Sequence, residues 1–399
     1  MPDFLSFFII LVAALLISRA FQRFNIPWTV ALIIGGMIIG PFGLKLIAID
    51  STLEFLKHLG LVFLMFMAGL ETKFSGIKET WKDSGVIATA TGVIPFIIGI
   101  SIGFLLGYET TTAILLGIVF ISSSIAIAIP MLEAKGLLFS RIGKTIVSSI
   151  VLQDIASLVI LAVALQYMIS GAVPLPIFIT LFFIVLFFIA IMRWGIPKLR
   201  WLFEEEEKKN HFERDLRVVV AVLLGTVIVS ELLGLHSIVG AFLAGLVLSE
   251  VIENKKLKTK IHVMAYGLFI PVFFVMIGAS TNIWIFSEIN NALTLFLLVI
   301  FGSIIAKFSS GWISAKIRGF TSMQSVLVGG TCIPQLSTTL AVVAVGQQHN
   351  LIPAELVTAL VMLSIATVFV SPLLMNYAAE RVKKSYFVVK PSKNSSTSP

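Results

Sequence analysis

The stretch VLQDIASLVILAVAL, residues 151–165, is apolar enough to lie inside a lipid bilayer, yet it carries Gln153 and Asp154. The same apolar balance holds for the whole chain of 399 residues, of which 58% are hydrophobic and only 13% charged. Water-soluble domains do not have this composition. We therefore predict an all-α polytopic membrane protein whose functional groups lie among its helices, and an aspartate in such a helix needs a reason.

Hydropathy along the chain predicts about thirteen transmembrane helices in a membrane domain over residues 1–378, followed by a short cytoplasmic tail over 379–399. The start MPDFLSFF has no basic region before its apolar run, so the first span is predicted to remain uncleaved. The predicted spans are 4–20, 27–44, 55–70, 85–107, 111–132, 142–168, 173–195, 216–233, 237–250, 262–285, 291–315, 323–347 and 353–378.

The basic residues predict the orientation of the chain in a cell (inner) membrane. When alternate loops are assigned to opposite sides, 26 of the 29 Lys and Arg residues fall on one side. Lys45 and Lys57 fall on the other side, and Lys307 lies within a span. This asymmetry places the N-terminus outside and the C-terminus in the cytoplasm. The net charge of +8 is then explained by basic residues in the cytoplasmic loops, so no nucleic-acid partner is expected.

The longest predicted cytoplasmic loop, RWLFEEEEKKNHFERDLR, follows span 7. If span 7 is a linker, six spans lie on each side of it, and the two sets begin on opposite sides of the membrane. That arrangement predicts an inverted-topology repeat, which is common in secondary transporters.

The fifth span of each half contains residues that interrupt an apolar helix. A proline removes a backbone donor, and glycine or serine allows carbonyls and amides to turn toward a cavity. Either span alone is also compatible with a proline kink whose hydroxyls bond back to the helix, but the matching positions favour two discontinuous helices. The residues are Ser122, Ser123, Ser124 and Pro130 in span 5, and Gly329, Gly330, Pro334, Gln335, Ser337 and Thr338 in span 12.

Counting residues from the membrane surface places several polar groups at one depth. Asp154 lies ten residues beyond Lys144, which corresponds to about 15 Å of helix, and Lys307 lies nine residues before Lys316, or about 14 Å. Ser123, Ser124 and the segment 334–337 are expected at the same level. Four spans thus bring polar groups to one plane of a hydrocarbon core about 30 Å thick.

A charged side chain at that depth costs at least about 2.5–3.5 kcal/mol, so Asp154 and Lys307 are expected to face a cavity or each other. Asp154 shares a helix face with Ser157, beside a stripe that includes Gln153. Two interpretations remain open: a buried structural Asp154–Lys307 ion pair, and an ion-binding site in which the pair, where it forms, opens for substrate.

The ordered motifs of the chain resemble the monovalent cation:proton antiporters of the second superfamily, in particular a Kef-type membrane domain. The resemblance covers nearly the whole chain up to about residue 378. It implies a homodimer, with spans 1–3 and 8–10 forming the dimer part and spans 4–6 and 11–13 forming an ion-binding core in which spans 5 and 12 cross. The motifs are PWTVALIIGGMIIGPFGL, LGLVFLMFMAGLET, SSSIAIAIPMLEAKGL, IVLQDIASLVIL, HSIVGAFLAGLVLSE and IPVFFVMIGAST, with the span that contains Lys307.

The resemblance also implies roles for individual residues. Asp154 would bind a proton or a monovalent cation in turn, Ser123 and Ser124 would help to coordinate the ion, and Lys307 would modulate the charge of the site. The Gln153–Asp154 pair is similar to that of the glutathione-gated potassium-efflux branch, whereas other members carry Asp-Asp or Asn-Asp. Many relatives have a glutamate in span 12, where this chain reads PQLSTT, residues 334–339.

We therefore expect a transporter, not an enzyme, that exchanges Na⁺ or K⁺ for H⁺ at Asp154, with one proton per cation because one acidic group lies in the plane. The single cysteine, Cys332, excludes a disulfide framework and thiolate metal chemistry, and no cofactor is expected. A sodium-coupled solute symporter of similar architecture and a cation channel remain alternatives. An intramembrane aspartyl protease is disfavoured because it needs a second aspartate at mid-membrane depth.

Overall fold

The computed structural model describes residues 3–22, 27–71, 75–170, 212–232, 236–252, 254–288 and 292–388. Predicted span 7 and residues 200–211 of the long loop lie outside these ranges, as do residues 389–399 of the predicted tail. The other twelve predicted spans each correspond to a helix or to consecutive helices.

The regular secondary structure of the described residues is all helix, without a strand. Nine of its segments are long and apolar enough to cross a membrane, and two shorter apolar helices accompany them. The total of thirteen spans therefore stays a prediction, whereas the all-α membrane class is confirmed. The helices are α1 Asp3–Gln22, α2 Trp28–Ile39, α3 Ser51–Glu71, α4 Ser75–Leu105, α5 Thr110–Ile121, α6 Ile125–Ala134, α7 Arg141–Ser170, α8 Phe212–Leu232, α9 Ser237–Val251, α10 Lys255–Met264, α11 Ile270–Ala279, α12 Ile285–Glu288, α13 Ala292–Ile317, α14 Ser322–Cys332, α15 Ser337–Gln348 and α16 Ala354–Val388.

The helices pack as two groups. Helices α1–α3 pack chiefly on α8–α11, while α4–α7 pack chiefly on one another and on α13–α16. Contacts between the groups are fewer and involve α15 with α3 and α9 with α7. The groups consist of the same spans that the resemblance assigns to the dimer part and to the core, and those two roles remain predictions.

A close glycine contact occurs at the same place in both halves. A Cβ atom on Gly99 of α4 would lie 2.8 Å from the Cα of Gly117 in α5. A Cβ atom on Gly311 of α13 would lie 3.0 Å from the Cα of Gly329 in α14. Spans 4 and 5 therefore pack as spans 11 and 12 do, with helix backbones in direct contact. This equivalence agrees with the predicted inverted repeat.

Both predicted discontinuous helices are present. Helix α5 ends at Ile121 and α6 begins at Ile125, and between them Ser122 and Ser124 have extended backbone. Helix α14 ends at Cys332 and α15 begins at Ser337. Pro130 was expected to interrupt span 5, but it lies inside α6 because the serines before it already end the helix.

Span 10 differs from the prediction in its limits and its regularity. It begins at Lys255 and reaches Ala279, and a π-helical turn at Ala265–Phe269 separates α10 from α11. Gly329 and Gly330, expected to take part in the interruption of span 12, lie within α14. The last helix continues past residue 378 to Val388.

Candidate ion-binding site

The two interrupted segments meet in the middle of the second helix group. The backbone amide of Ser124 donates a hydrogen bond to the carbonyl oxygen of Pro334 at 2.6 Å. The Ser123 hydroxyl donates to the carbonyl oxygen of Cys332 at 2.9 Å. Each interruption thus satisfies backbone groups that the other one exposes, which a buried non-helical segment requires.

Asp154 of α7 lies beside this junction. One oxygen of its carboxylate, Oδ1, accepts a hydrogen bond from the Ser122 hydroxyl at 3.2 Å and another from the Thr338 hydroxyl at 3.2 Å. Asp154 is 8% exposed, whereas Ser122 and Thr338 are each 2% exposed. A single carboxylate oxygen therefore links both interrupted helices.

Lys307 of α13 is also buried, but its ammonium group contacts a different residue of α7. Its ammonium group donates to the Gln153 side-chain oxygen Oε1 at 3.0 Å and to the carbonyl oxygen of Ile121 at 2.6 Å. A longer bond of 3.4 Å reaches the carbonyl oxygen of Thr91. Lys307 and Asp154 are both described, and no ion pair joins them. The alternative of a structural Asp154–Lys307 pair is therefore wrong for this conformation.

The helix ends explain where each charge lies. Lys307 donates to the last residue of α5, where the unpaired carbonyls carry partial negative charge. The Asp154 carboxylate contacts Thr338 in the first turn of α15, where backbone amides carry partial positive charge. Each buried charge thus faces a helix end of opposite sign, which lowers the cost of its burial.

The side-chain amide of Gln153 links Lys307 to the first interrupted segment. Its Oε1 accepts from Lys307 and also from the Ser123 hydroxyl at 2.9 Å. Its Nε2 has no hydrogen-bond partner among the described residues, and neither do Ser124 Oγ, Gln335 Oε1 and Thr339 Oγ1. Buried polar atoms are nearly always paired, so these atoms mark a region with spare polar capacity.

The remaining predicted site residues are placed as follows. The Ser157 hydroxyl donates to the backbone carbonyl of Asp154 at 2.9 Å, so it bonds within its own helix and not to the carboxylate. The Gln335 side chain donates to the Ser303 hydroxyl at 2.9 Å, and its backbone amide donates to the Thr367 hydroxyl at 3.2 Å. Ser337 is half-buried and begins α15.

A cavity of about 850 Å³ leads toward the junction from one side. Its walls are formed by residues of α2, α3, α6 and α10–α11, and it reaches Leu336 and Ser337. Ser337 directly precedes Thr338, which donates to Asp154. The cavity opens near Glu71 at the end of α3, on the side predicted to be cytoplasmic.

Sequence reasoning did not select the two residues that donate to the Asp154 carboxylate. The sequence places Ser122 and Thr338 among the interrupting residues, whereas the predicted ligands are Ser123 and Ser124. Successive side chains of an extended segment point in different directions, and residue depth alone does not reveal which one faces Asp154. The run of polar residues in an apolar span identifies the interrupted segment, but it does not identify which of its residues contacts Asp154.

The chain is similar to known sodium/proton antiporters over nearly its whole length. It is 31% identical over 375 residues to the probable Na(+)/H(+) antiporter 3 of Methanocaldococcus jannaschii, and the match covers 93% of this chain and 95% of that protein. It is 27% identical over 383 residues to the Na(+)/H(+)-K(+) antiporter GerN of Bacillus cereus, and the match covers 94% of this chain and 95% of that one.

A solved structure shows the same fold. The sodium proton antiporter MjNhaP1 from Methanocaldococcus jannaschii at pH 8 matches with a TM-score of 0.64 at 17% identity, over 94% of this chain and 97% of that chain. The sequence model of the family described as "Sodium/hydrogen exchanger, transmembrane" matches residues 8–376. The expected antiporter resemblance is thereby confirmed, and the chain belongs to the transmembrane sodium/hydrogen exchanger family of multi-pass cation/proton antiporters.

Proposed function

We propose that this chain exchanges Na⁺ or K⁺ for H⁺ by exposing Asp154 to the two sides of the membrane in turn. The observation that carries this proposal is the position of Asp154. Among the described residues at the junction it is the single carboxylate, and its Oδ1 bonds hydroxyls from both interrupted helices. Burial of an acid among membrane helices costs free energy, and binding and release of ions would explain why the chain keeps it there.

Competition at one carboxylate couples the two fluxes. The deprotonated form of Asp154 attracts an alkali cation, which takes hard oxygen ligands from the carboxylate and from neutral groups. Ser122 and Thr338 supply those oxygens once their hydrogens rotate away from Oδ1, and Ser124 Oγ and Gln335 Oε1 are further buried oxygens with spare capacity. Protonation of Asp154 removes the charge that holds the cation. Each crossing of the site therefore carries either a cation or a proton, and a full cycle exchanges one for the other.

Lys307 and Gln153 set the electrostatics of the site in this proposal. The Lys307 ammonium is held by Gln153 and by the end of α5, so its positive charge opposes cation binding at Asp154 without blocking it. Ser123 fixes the Gln153 amide and thereby the position of that charge. With one acid in the site, we propose an exchange of one proton per cation, which moves no net charge.

Alternating access needs one part of the protein to move against another. In our proposal α1–α3 and α8–α11 form a static homodimer scaffold, and the group that contains α4–α7 and α13–α16 carries the site. The sparse contacts between these groups are compatible with such movement. The cavity that reaches Ser337 supports an inward-open conformation, with the N-terminus outside the cell membrane.

The decisive experiment measures exchange in proteoliposomes with an internal pH dye after a jump in Na⁺, K⁺ or Li⁺. We expect Asp154→Asn to abolish exchange of every ion while the purified variant keeps its melting temperature. Ser157→Ala is the matched control on the same helix, and it should exchange at close to the native rate because its hydroxyl bonds only to backbone. Transport by Asp154→Asn would exclude the mechanism. Dependence of the native rate on an imposed membrane potential would exclude the one-to-one stoichiometry.

A further inference from the structure

A second polar cluster lies at the mouth of the large cavity, apart from the hydrogen bonds of Asp154. Glu71 is the last residue of α3, and its Oε1 accepts a hydrogen bond from the Tyr266 hydroxyl at 3.3 Å. Both residues line the cavity that reaches Ser337 at its inner end. A cation that enters this cavity from the aqueous side therefore passes a carboxylate before it approaches Asp154.

The backbone around Tyr266 is unusual. Tyr266 belongs to the π-helical turn Ala265–Phe269, and such turns are rare and are often found at functional sites. Its ring lies 4.3 Å from the His262 ring and 5.6 Å from the Trp28 ring, measured between centroids. The aromatic neighbours hold the phenol in place, so its hydroxyl is directed at Glu71.

Charges of both signs lie around this mouth. The carbonyl groups at the end of α3 carry partial negative charge, which adds to the field of the Glu71 carboxylate. The basic neighbours that line the mouth are Lys258 and His262. The Lys258 ammonium also donates to the Ser249 carbonyl oxygen at 3.4 Å, which directs it toward the end of α9. The Glu71 side chain is exposed, so a cation beside it keeps part of its water shell.

We propose that Glu71, together with the Tyr266 hydroxyl, forms an entry site that binds a partly hydrated alkali cation at this mouth of the cavity. The inference rests on the proposed function of Asp154, because the entry site serves exchange there. A carboxylate with a hydroxyl and nearby carbonyl oxygens is a suitable set of hard ligands for such an ion. The entry site raises the local cation concentration in a cleft and leaves the transport step to Asp154.

The test measures exchange with the cation offered from the side on which the cavity opens, in everted membrane vesicles from a host without its own sodium/proton antiporters. Glu71→Gln should raise the apparent KM for Na⁺ about three- to tenfold at low ionic strength, with the maximal rate within about twofold of native. Added choline chloride should shrink that difference, because salt screens an exposed charge. Glu71→Asp keeps the charge and should retain the native KM within about twofold.

Matched variants separate an entry site from general surface charge. Glu250→Gln removes an exposed carboxylate at the end of α9 that does not line the cavity, and it should leave KM unchanged. Tyr266→Phe removes only the hydroxyl and should raise KM less than Glu71→Gln. A cation offered from the opposite side should show the native KM in all four variants.

Three results would overturn the entry site: a native KM in Glu71→Gln, an equal rise of KM in Glu250→Gln, or a loss of maximal rate in Glu71→Gln at unchanged KM. Failure of the proposed function looks different, because it appears as exchange by Asp154→Asn whatever the Glu71 variants do.

Discussion

The two interrupted helices have equivalent backbones but different chemistry. Both breaks follow a close glycine contact, and Ser122 and Pro334 come at the same spacing after Gly117 and Gly329. Ser123 donates to Gln153 of α7 in the first half, and the Gln335 amide donates to Thr367 of α16 in the second. In the first half, the residue that follows the contacted Gln153 is the carboxylate Asp154. In the second half, the residue that follows the contacted Thr367 is the neutral Val368.

The helices before the breaks differ in the same way. Lys307 lies four residues before Gly311, and the residue four before Gly99 is Pro95. Each half thus contributes one charged residue at a position where the other half is neutral. The inverted repeat gives the two halves equivalent backbones, which suits opening on either side of the membrane. Asp154 and Lys307 have no charged counterpart in the other half, so the two halves together form one site.

The largest effect on stability is expected when the buried ammonium group of Lys307 is removed. Lys307→Ala should lower the free energy of unfolding by about 2–4 kcal/mol, because three buried acceptors lose their donor and a gap remains. The melting temperature of the purified protein measures this change. Lys316→Ala, which removes an exposed lysine of the same helix, should shift it by less than a degree or two; equal shifts in both variants would contradict the assignment.

The glycine contacts allow the two halves to be compared directly. Gly99→Ala and Gly311→Ala should each destabilise the protein by about 1–3 kcal/mol, since the added methyl group meets backbone of the neighbouring helix. The effect should be larger at Gly99, where the contact distance is shorter. Gly225→Ala on α8 meets nothing within 4 Å and should be neutral or stabilising. Thermal unfolding that ranks Gly225→Ala with the other two would argue against the close contacts.

The stability of the protein should depend on acid pH through a residue of the second half. Helix α9 begins after His236, which accepts from the Ile238 amide, while α2 begins after Pro27 and has no titratable cap. Burial, with His58 and His349 nearby, lowers the pKa of His236 from 6.5 to about 4. The unfolded chain then binds a proton first, so this contribution is full above pH 6.5 and is lost as the pH falls toward 4.

We expect His236 to cost about 1–2 kcal/mol of stability at pH 5 relative to pH 7.5. His236→Asn keeps a capping side chain without the titration, so its melting temperature should fall less between these pH values. An identical fall in the native protein and in His236→Asn would show that other groups cause the acid sensitivity.

The smallest effects should come from the two hydroxyls on Asp154, one from each half. Ser122→Ala and Thr338→Ala should each raise the apparent KM for the cation about fivefold, which corresponds to about 1 kcal/mol for a lost ligand. The two values should be similar because both hydroxyls reach the same oxygen at the same distance. If only one variant changes KM, the site is served by one half and the proposed crossing arrangement of ligands is incorrect.

Much of the fold was predictable because lipid restricts what a chain can form. Apolar runs of the right length have to be helices in a bilayer, and the interruptions at residues 122–124 and 334–337 were visible as polar residues in otherwise apolar spans. The limits of span 10 were less predictable, since a π-helical turn leaves no clear mark in hydropathy. Pro130 was misleading because it lies inside α6, after the break that the serines had already made.

An all-helical membrane protein, two broken helices and the burial of Asp154 and Lys307 all follow from the sequence without the structure. Composition and residue spacing are enough for these conclusions, because each follows from local chemistry and from the thickness of the bilayer. The hydrogen bonds of Lys307 to Gln153 and to the end of α5, and those of Ser122 and Thr338 to Asp154, were visible only in the folded chain. These contacts join residues that are far apart in the chain, and the rotation of each helix about its axis, which packing sets, determines them.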